Sequence, residues 1–309
     1  MIEAFFNNFE LMIVLTGALV GIAATLVGSF LVLRGNSMLT DAISHSIVFG
    51  IIVVWLLTGY ASGPVQVVGA VLTGLLTVWL TELVAGTRRV AYDAAIGLVF
   101  PVLFAAGVLL INLYARDVHI DQDTVLLGEI GYVWLNTVTV LGYRVPEAVL
   151  TVGAMVLVNL AFITLFFKEL KLSVFDPGLA VALGFAPGVL SYVLLGLTSA
   201  TAVASFDAVG AVLFIAFAIV PAAAGYLLTD RLGRMILYGC AISVASSIGG
   251  YTLAVQWDVS ISAMMAACTG IFLLAAFLLG PRYGLLGRVL RSRLSSSAGG
   301  DPSSGKLAP

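Results

Sequence analysis

The chain has 309 residues, of which 61% are hydrophobic and only 10% are Asp, Glu, Lys or Arg, with a mean hydropathy of +1.13. Soluble domains carry about 25% charged residues, so this composition excludes a water-soluble globular protein and leaves an integral membrane protein. The formal net charge of −2 acquires meaning only once it is divided between the two sides of the membrane.

Length alone would suggest two soluble domains, but the apolar runs follow one another so closely that one membrane domain over residues 1–294 fits better. The start, MIEAFFNNFE, has no basic n-region, so no cleavable signal is expected. A membrane span needs ~20 apolar residues. The sequence offers 10–33, 40–59, 64–85, 94–115, 146–167, 187–205, 207–228, 235–255 and 260–281, which makes nine. Eight is the alternative if the first run does not span, or if the chain does not break at Phe206 and Asp207. The two cysteines, Cys240 and Cys268, lie inside apolar spans and form no zinc or redox motif.

Between the first two spans lies RGNSMLTDAISHSIVFG, residues 34–50, with Asp41 and His45 spaced i,i+4 on one helix face. Acids and imidazoles rarely enter an apolar span without partners or work there. A carboxylate with an imidazole suits divalent transition metals. The competing reading is a helix-start acid beside a hydrogen-bonded histidine, and spacing alone does not separate the two. Residues 116–145 form the longest connection between spans, and its middle is expected as a short interfacial helix presenting Tyr132 and Trp134 at headgroup level. Asp117, His119, Asp121 and Asp123 at its start read as a solvated loop or, alternatively, as an extended metal-binding one.

Residues 168–186 are too short to span. Asp176 is placed to cap a short helix, Pro177 suits its first turn and Gly184 its end. Leu179, Val181 and Leu183 make that helix apolar, so it either docks into a partner or lies on the bilayer. The span at 207–228 contains Pro221 followed by small residues, which favour a bend and close helix packing. From Ser295 the chain is low-complexity, and 295–309 is expected to be a disordered cytoplasmic tail. Its GDPSSGK segment imitates a phosphate-binding loop, but Leu307 replaces the required Ser or Thr and the flanking strand and helix are missing.

With nine spans and the N-terminus outside, twelve basic residues fall inside and only Arg116 and Arg144 outside, which fixes the expected orientation with the C-terminus cytoplasmic. Nine acids, Glu3, Glu10, Asp117, Asp121, Asp123, Glu129, Glu147, Asp207 and Asp258, then lie outside, an acidic mouth that would concentrate cations. An acidic face with no such role fits equally well.

Four segments in order, SFLVLRGNSMLTDAISHSIVFG, FDPGLAVALGF, AVGAVLFIAFAIVPAAAGYLL with TDRLGRM, and FLLGPRYGLLGR, resemble the membrane permeases of ATP-binding-cassette importers for manganese, zinc and iron. The resemblance covers residues 10–290. It implies an all-α polytopic fold like that of type II importers, about nine transmembrane helices and a short cytoplasmic coupling helix. It also implies a bacterial cytoplasmic membrane location, a second permease copy or paralogue, a cytoplasmic ATPase dimer and an external metal-binding receptor; no nucleic acid is expected. By position, Asp41 and His45 match the metal-contacting pair. Phe175, Asp176, Pro177, Leu179, Leu183 and Gly184 match the coupling helix. The last segment looks more like the manganese and iron members, so Mn²⁺ is the expected cargo, with Zn²⁺, Fe²⁺ or a metal chelate such as a siderophore complex as alternatives. No permanently bound cofactor and no enzymatic activity are implied, since hydrolysis belongs to the separate ATPase. After Asp258 many relatives carry a proline and then a glycine, where this chain has Ser260 and Ser262. A secondary transporter using Asp41 without an ATPase is the more distant alternative.

Overall fold

The computed structural model describes residues 8–59, 64–114, 130–140, 143–280 and 284. The acidic segment Asp117–Asp123, Arg116, most of the FLLGPRYGLLGR segment and the tail 295–309 lie outside them.

Ten α-helices follow one another: α1 (Phe9–Leu33), α2 (Ser37–Thr58), α3 (Pro64–Gly86), α4 (Tyr92–Tyr114), α5 (Glu147–Leu165), α6 (Phe167–Phe175), α7 (Pro177–Ala182), α8 (Pro187–Leu228), α9 (Leu232–Trp257) and α10 (Ile261–Leu279). Among the described residues nine segments are long and apolar enough to cross a membrane, and the eight-span alternative falls away. The ninth comes from α8, whose 42 residues contain a non-helical break at Gly210, φ 73° and ψ 168°. A straight helix of that length would run about 63 Å, twice a hydrocarbon core. Instead the chain doubles back. Asn159 bridges Thr201 to the carbonyl of Ala23, while Thr25 bonds the carbonyl of Phe217. Thr201 and Phe217, 16 positions apart, would lie about 24 Å apart in a straight helix, yet both meet α1 within two residues. α8 is therefore two antiparallel spans, Pro187–Phe206 and Ala208–Leu228, hinged at a position where positive φ favours glycine.

α1 is the centre of the bundle. It is buried from Val20 to Leu31 almost without interruption, apart from Ile22, and packs on α5, on both arms of α8 and on α9. A helix apolar all round belongs in such a place. Small residues let backbones meet there: a Cβ on Gly28 would stand 1.9 Å from the carbonyl oxygen of Ala218. Most buried hydroxyls are satisfied locally or across helices, as in the 2.8 Å contact between Thr25 and Ser243, while those of Thr40, Ser246 and Ser262 have no partner among the described residues. This is how polar groups survive in an apolar interior.

Turns alternate between two ends of the bundle. One carries Arg34, Arg88, Arg89, Lys168, Lys171, Arg231 and Arg234, and is called the basic end below. The opposite end departs from expectation. Instead of an interfacial helix, the described residues 130–140 and 143–146 form a 3-10 turn at Ile130–Tyr132 and an antiparallel pair of strands, β1 (Thr137–Val140) and β2 (Tyr143–Pro146), in register Thr137↔Pro146 and Val138↔Val145. TVTV is β-branched throughout, which favours strand over helix. Ile130 and Val133 are buried in the core, the turn packing on α1 and α10, while Tyr132 and Trp134 are exposed as aromatic anchors would be.

Candidate functional site

The site begins with how α1 hands over to α2. Gly35 takes φ +72°, and the amides of Gly35 and Asn36 bond the carbonyls of Val32 and Leu31 at 3.1 and 2.9 Å. This is the glycine-terminated reversal that ends many helices, and it lets α2 start after a three-residue turn. Asp41 and His45 then lie about 6 and 12 Å along α2, in the basic half of the bundle. The inward face of α2 is filled by Leu39, Ala42, Ile43 and Ile47, so the pair faces outward. His45 Nε2 lies 3.5 Å from Asp41 Oδ1, and the two side chains are 32% and 35% exposed. The imidazole is held by α4, stacked on Phe100 with centroids 5.8 Å apart and edge-on to Phe104 at 6.0 Å. α4 comes this close because Gly107 offers no side chain towards the Phe49 backbone.

One carboxylate and one imidazole give a divalent transition metal a hard oxygen and a borderline nitrogen, a set that Mn²⁺, Fe²⁺ and Zn²⁺ all accept. Two donors fall short of the four or more such ions take. Among the described residues no group of three or more His, Cys, Asp or Glu gathers elsewhere.

The second predicted group forms one feature at the basic end. α7 is capped by Asp176, whose Oδ1 receives the Leu179 amide at 2.9 Å, with Pro177 in the first helical position. It closes at Leu183 and Gly184, φ +85°, where the amides of Gly184 and Phe185 bond Val181 and Ala180. Ala180 is buried, whereas Phe175, Leu179, Val181 and Leu183 are exposed. An apolar knob thus projects beyond the spans. α7 packs mainly on α6 and α8, and among the described residues no hydrogen bond or ion pair joins it to the Asp41–His45 pair.

Two features escaped the sequence reading. Arg34, at the end of α1, donates through Nη1 to Ser191 on α8 and through Nη2 to Ser173 on α6 at 2.9 Å. Burial holds this guanidinium below its ordinary pKa, in a range where arginine remains charged. Tyr192 on α8 donates to Glu82 on α3. Neither partnership has a sequence signal, being 110 or more positions apart; the Phe100–Phe104 wall has one, two aromatics at i,i+4. Ser260 caps α10 by accepting the Ala263 amide at 3.4 Å, and Ser262 is buried with its hydroxyl unpartnered.

Residues 7–280 match the model of the ABC 3 transport family. The chain belongs to that family. It is 45% identical over 286 residues to the manganese transport system membrane protein MntD of Bacillus subtilis, covering 92% of this chain and 97% of that one. The zinc transport system membrane protein TroD of Treponema pallidum is 44% identical over 281 residues, 91% of this chain and 77% of its own. The chelated iron transport system membrane protein YfeC of Yersinia pestis is 32% identical, over 95% of this chain and 94% of its own. Among solved structures, PsaBC from Streptococcus pneumoniae in complex with Fab superposes with a TM-score of 0.76 at 27% identity, over 95% of this chain and all of that one. This chain is a multi-pass permease of the metal-transporting ABC kind, and such subunits are not themselves enzymes.

Proposed function

We propose that this chain carries Mn²⁺ inward across a bacterial cytoplasmic membrane, as a pair with a second copy or a paralogue. The observation that carries the reading is the Asp41–His45 pair, 3.5 Å apart and outward-facing on an otherwise apolar span. A second permease against this face would double the donors to two carboxylates and two imidazoles and remove them from lipid. The basic end is cytoplasmic by its arginines and lysines. That places α7 where an ATPase dimer would meet it, and the opposite end where a metal-delivering receptor would dock. Phe175, Asp176, Pro177, Leu179, Leu183 and Gly184 form that contact. ATP-driven movement of α7 would switch the side to which the pair opens.

Few protein donors suit transport, because the ion must leave. They do not by themselves favour manganese, since a mixed oxygen and nitrogen site binds zinc more tightly. Manganese is favoured by MntD, while TroD at nearly equal identity keeps zinc as the competitor. The test is to express the chain with its ATPase and receptor in cells lacking manganese importers and to quantify cell-associated Mn, Zn and Fe. A selective rise in manganese supports the proposal. A rise in zinc or iron alone reassigns the cargo, and uptake of a metal chelate without any free ion overturns it.

A further inference from the structure

The guanidinium of Arg34 stands at a junction of three elements. Its backbone belongs to the reversal that launches α2, seven residues before Asp41. Its side chain grips Ser173, three residues before Asp176, and Ser191, seven residues after Gly184. It therefore holds both roots of α7 at once. Each serine donates its own proton to its helix, Ser173 to Leu170 at 3.0 Å and Ser191 to Pro187 at 2.8 Å, which leaves its lone pairs for the arginine. No carboxylate pairs with Arg34 among the described residues, and its Nε is buried without a partner. One turn back from Ser173 on α6, Oε2 of Glu169 is also buried without a partner. Residues i and i+4 share a helix face, so the unpartnered Oε2 of Glu169 and the incompletely paired guanidinium of Arg34 sit one turn of α6 out of register.

We propose that Arg34 is the positioning residue that carries motion of α7 to the metal pair, held by Ser173 and Ser191 in this state and by Glu169 in the alternate one. A slide of α6 by one turn, about 5.4 Å, exchanges the hydroxyl for the carboxylate. Packed interfaces shift between such discrete positions rather than deforming continuously. Because Arg34 and the first turn of α2 are joined by the tight reversal at Gly35, the exchange tilts the start of α2 and with it Asp41 and His45. This inference rests on the reading of α7 as the contact with the ATPase.

The test uses the permease assembled with its ATPase and metal-delivering receptor in proteoliposomes, supplied with Mn²⁺, Zn²⁺ or Fe²⁺ in parallel, and reads metal transported per ATP hydrolysed beside metal bound by the permease alone. Arg34→Gln and Glu169→Gln should leave metal binding and basal hydrolysis intact. Both should lower transport per ATP about tenfold, within the 5–150-fold range of typical coupling between sites. Arg34→Lys should restore part of it, and the double variant should be no worse than either single one. If Arg34→Gln fails to assemble, Ser173→Ala with Ser191→Ala keeps the cation, removes its acceptors and should lower the same ratio. A native ratio in Arg34→Gln or in the serine pair overturns the proposal. So do additive losses in the double variant. If the native assembly moves none of the three ions, the metal reading itself fails and takes this one with it, a result distinct from a lost ratio.

Discussion

Replacing Asp176 with alanine removes the oxygen that receives the Leu179 amide at 2.9 Å, and with it the only side-chain cap of α7. A six-residue helix is far below the length that is stable alone. α7 therefore depends on its caps and on the burial of Ala180. Loss of an Asp cap costs about 1 kcal/mol, which at room temperature multiplies the locally opened population about fivefold. Amide exchange over residues 177–183, followed by mass spectrometry on the permease without its ATPase, should accelerate by that factor in Asp176→Ala. Asp176→Asn, which keeps an accepting oxygen, should stay near native. On the proposal that α7 is the contact with the ATPase, metal uptake should fall in the same order. Equal exchange in native and Asp176→Ala, or equal acceleration in the asparagine and alanine variants, would refute the cap as the element that holds this helix.

Gly28→Ala forces a methyl group onto the Ala218 carbonyl, where only separation of α1 and α8 gives relief. Gly17→Ala meets the flexible end of Met265, which can turn aside. The first should cost about 1–3 kcal/mol and lower the melting temperature in detergent by several degrees relative to the second; equal melting would contradict the packing described for α1.

The nine spans were legible because each is a run of apolar residues long enough to cross, and the ends of α7 because Asp176, Pro177 and Gly184 each act through their own backbone. The Asp41–His45 contact was legible for the same local reason, since i,i+4 geometry needs nothing beyond the helix. The pairing of β1 and β2 is not legible in the sequence, because Tyr132 and Trp134 advertise an interface whatever backbone carries them, and the four β-branched residues of TVTV are too short a run to outweigh that signal. Arg34 was visible as a residue but not as a tie, since Ser173 and Ser191 are 139 and 157 positions away. Long-range partners of that kind appear only once the helices are packed.

The measurement closest to the centre is manganese uptake by the native chain, Asp41→Ala and His45→Ala, each with the ATPase and receptor and at matched membrane abundance. Uptake by the native chain and its loss in both variants is the predicted result. Native uptake in either variant would make that side chain structural and place the path of the ion elsewhere.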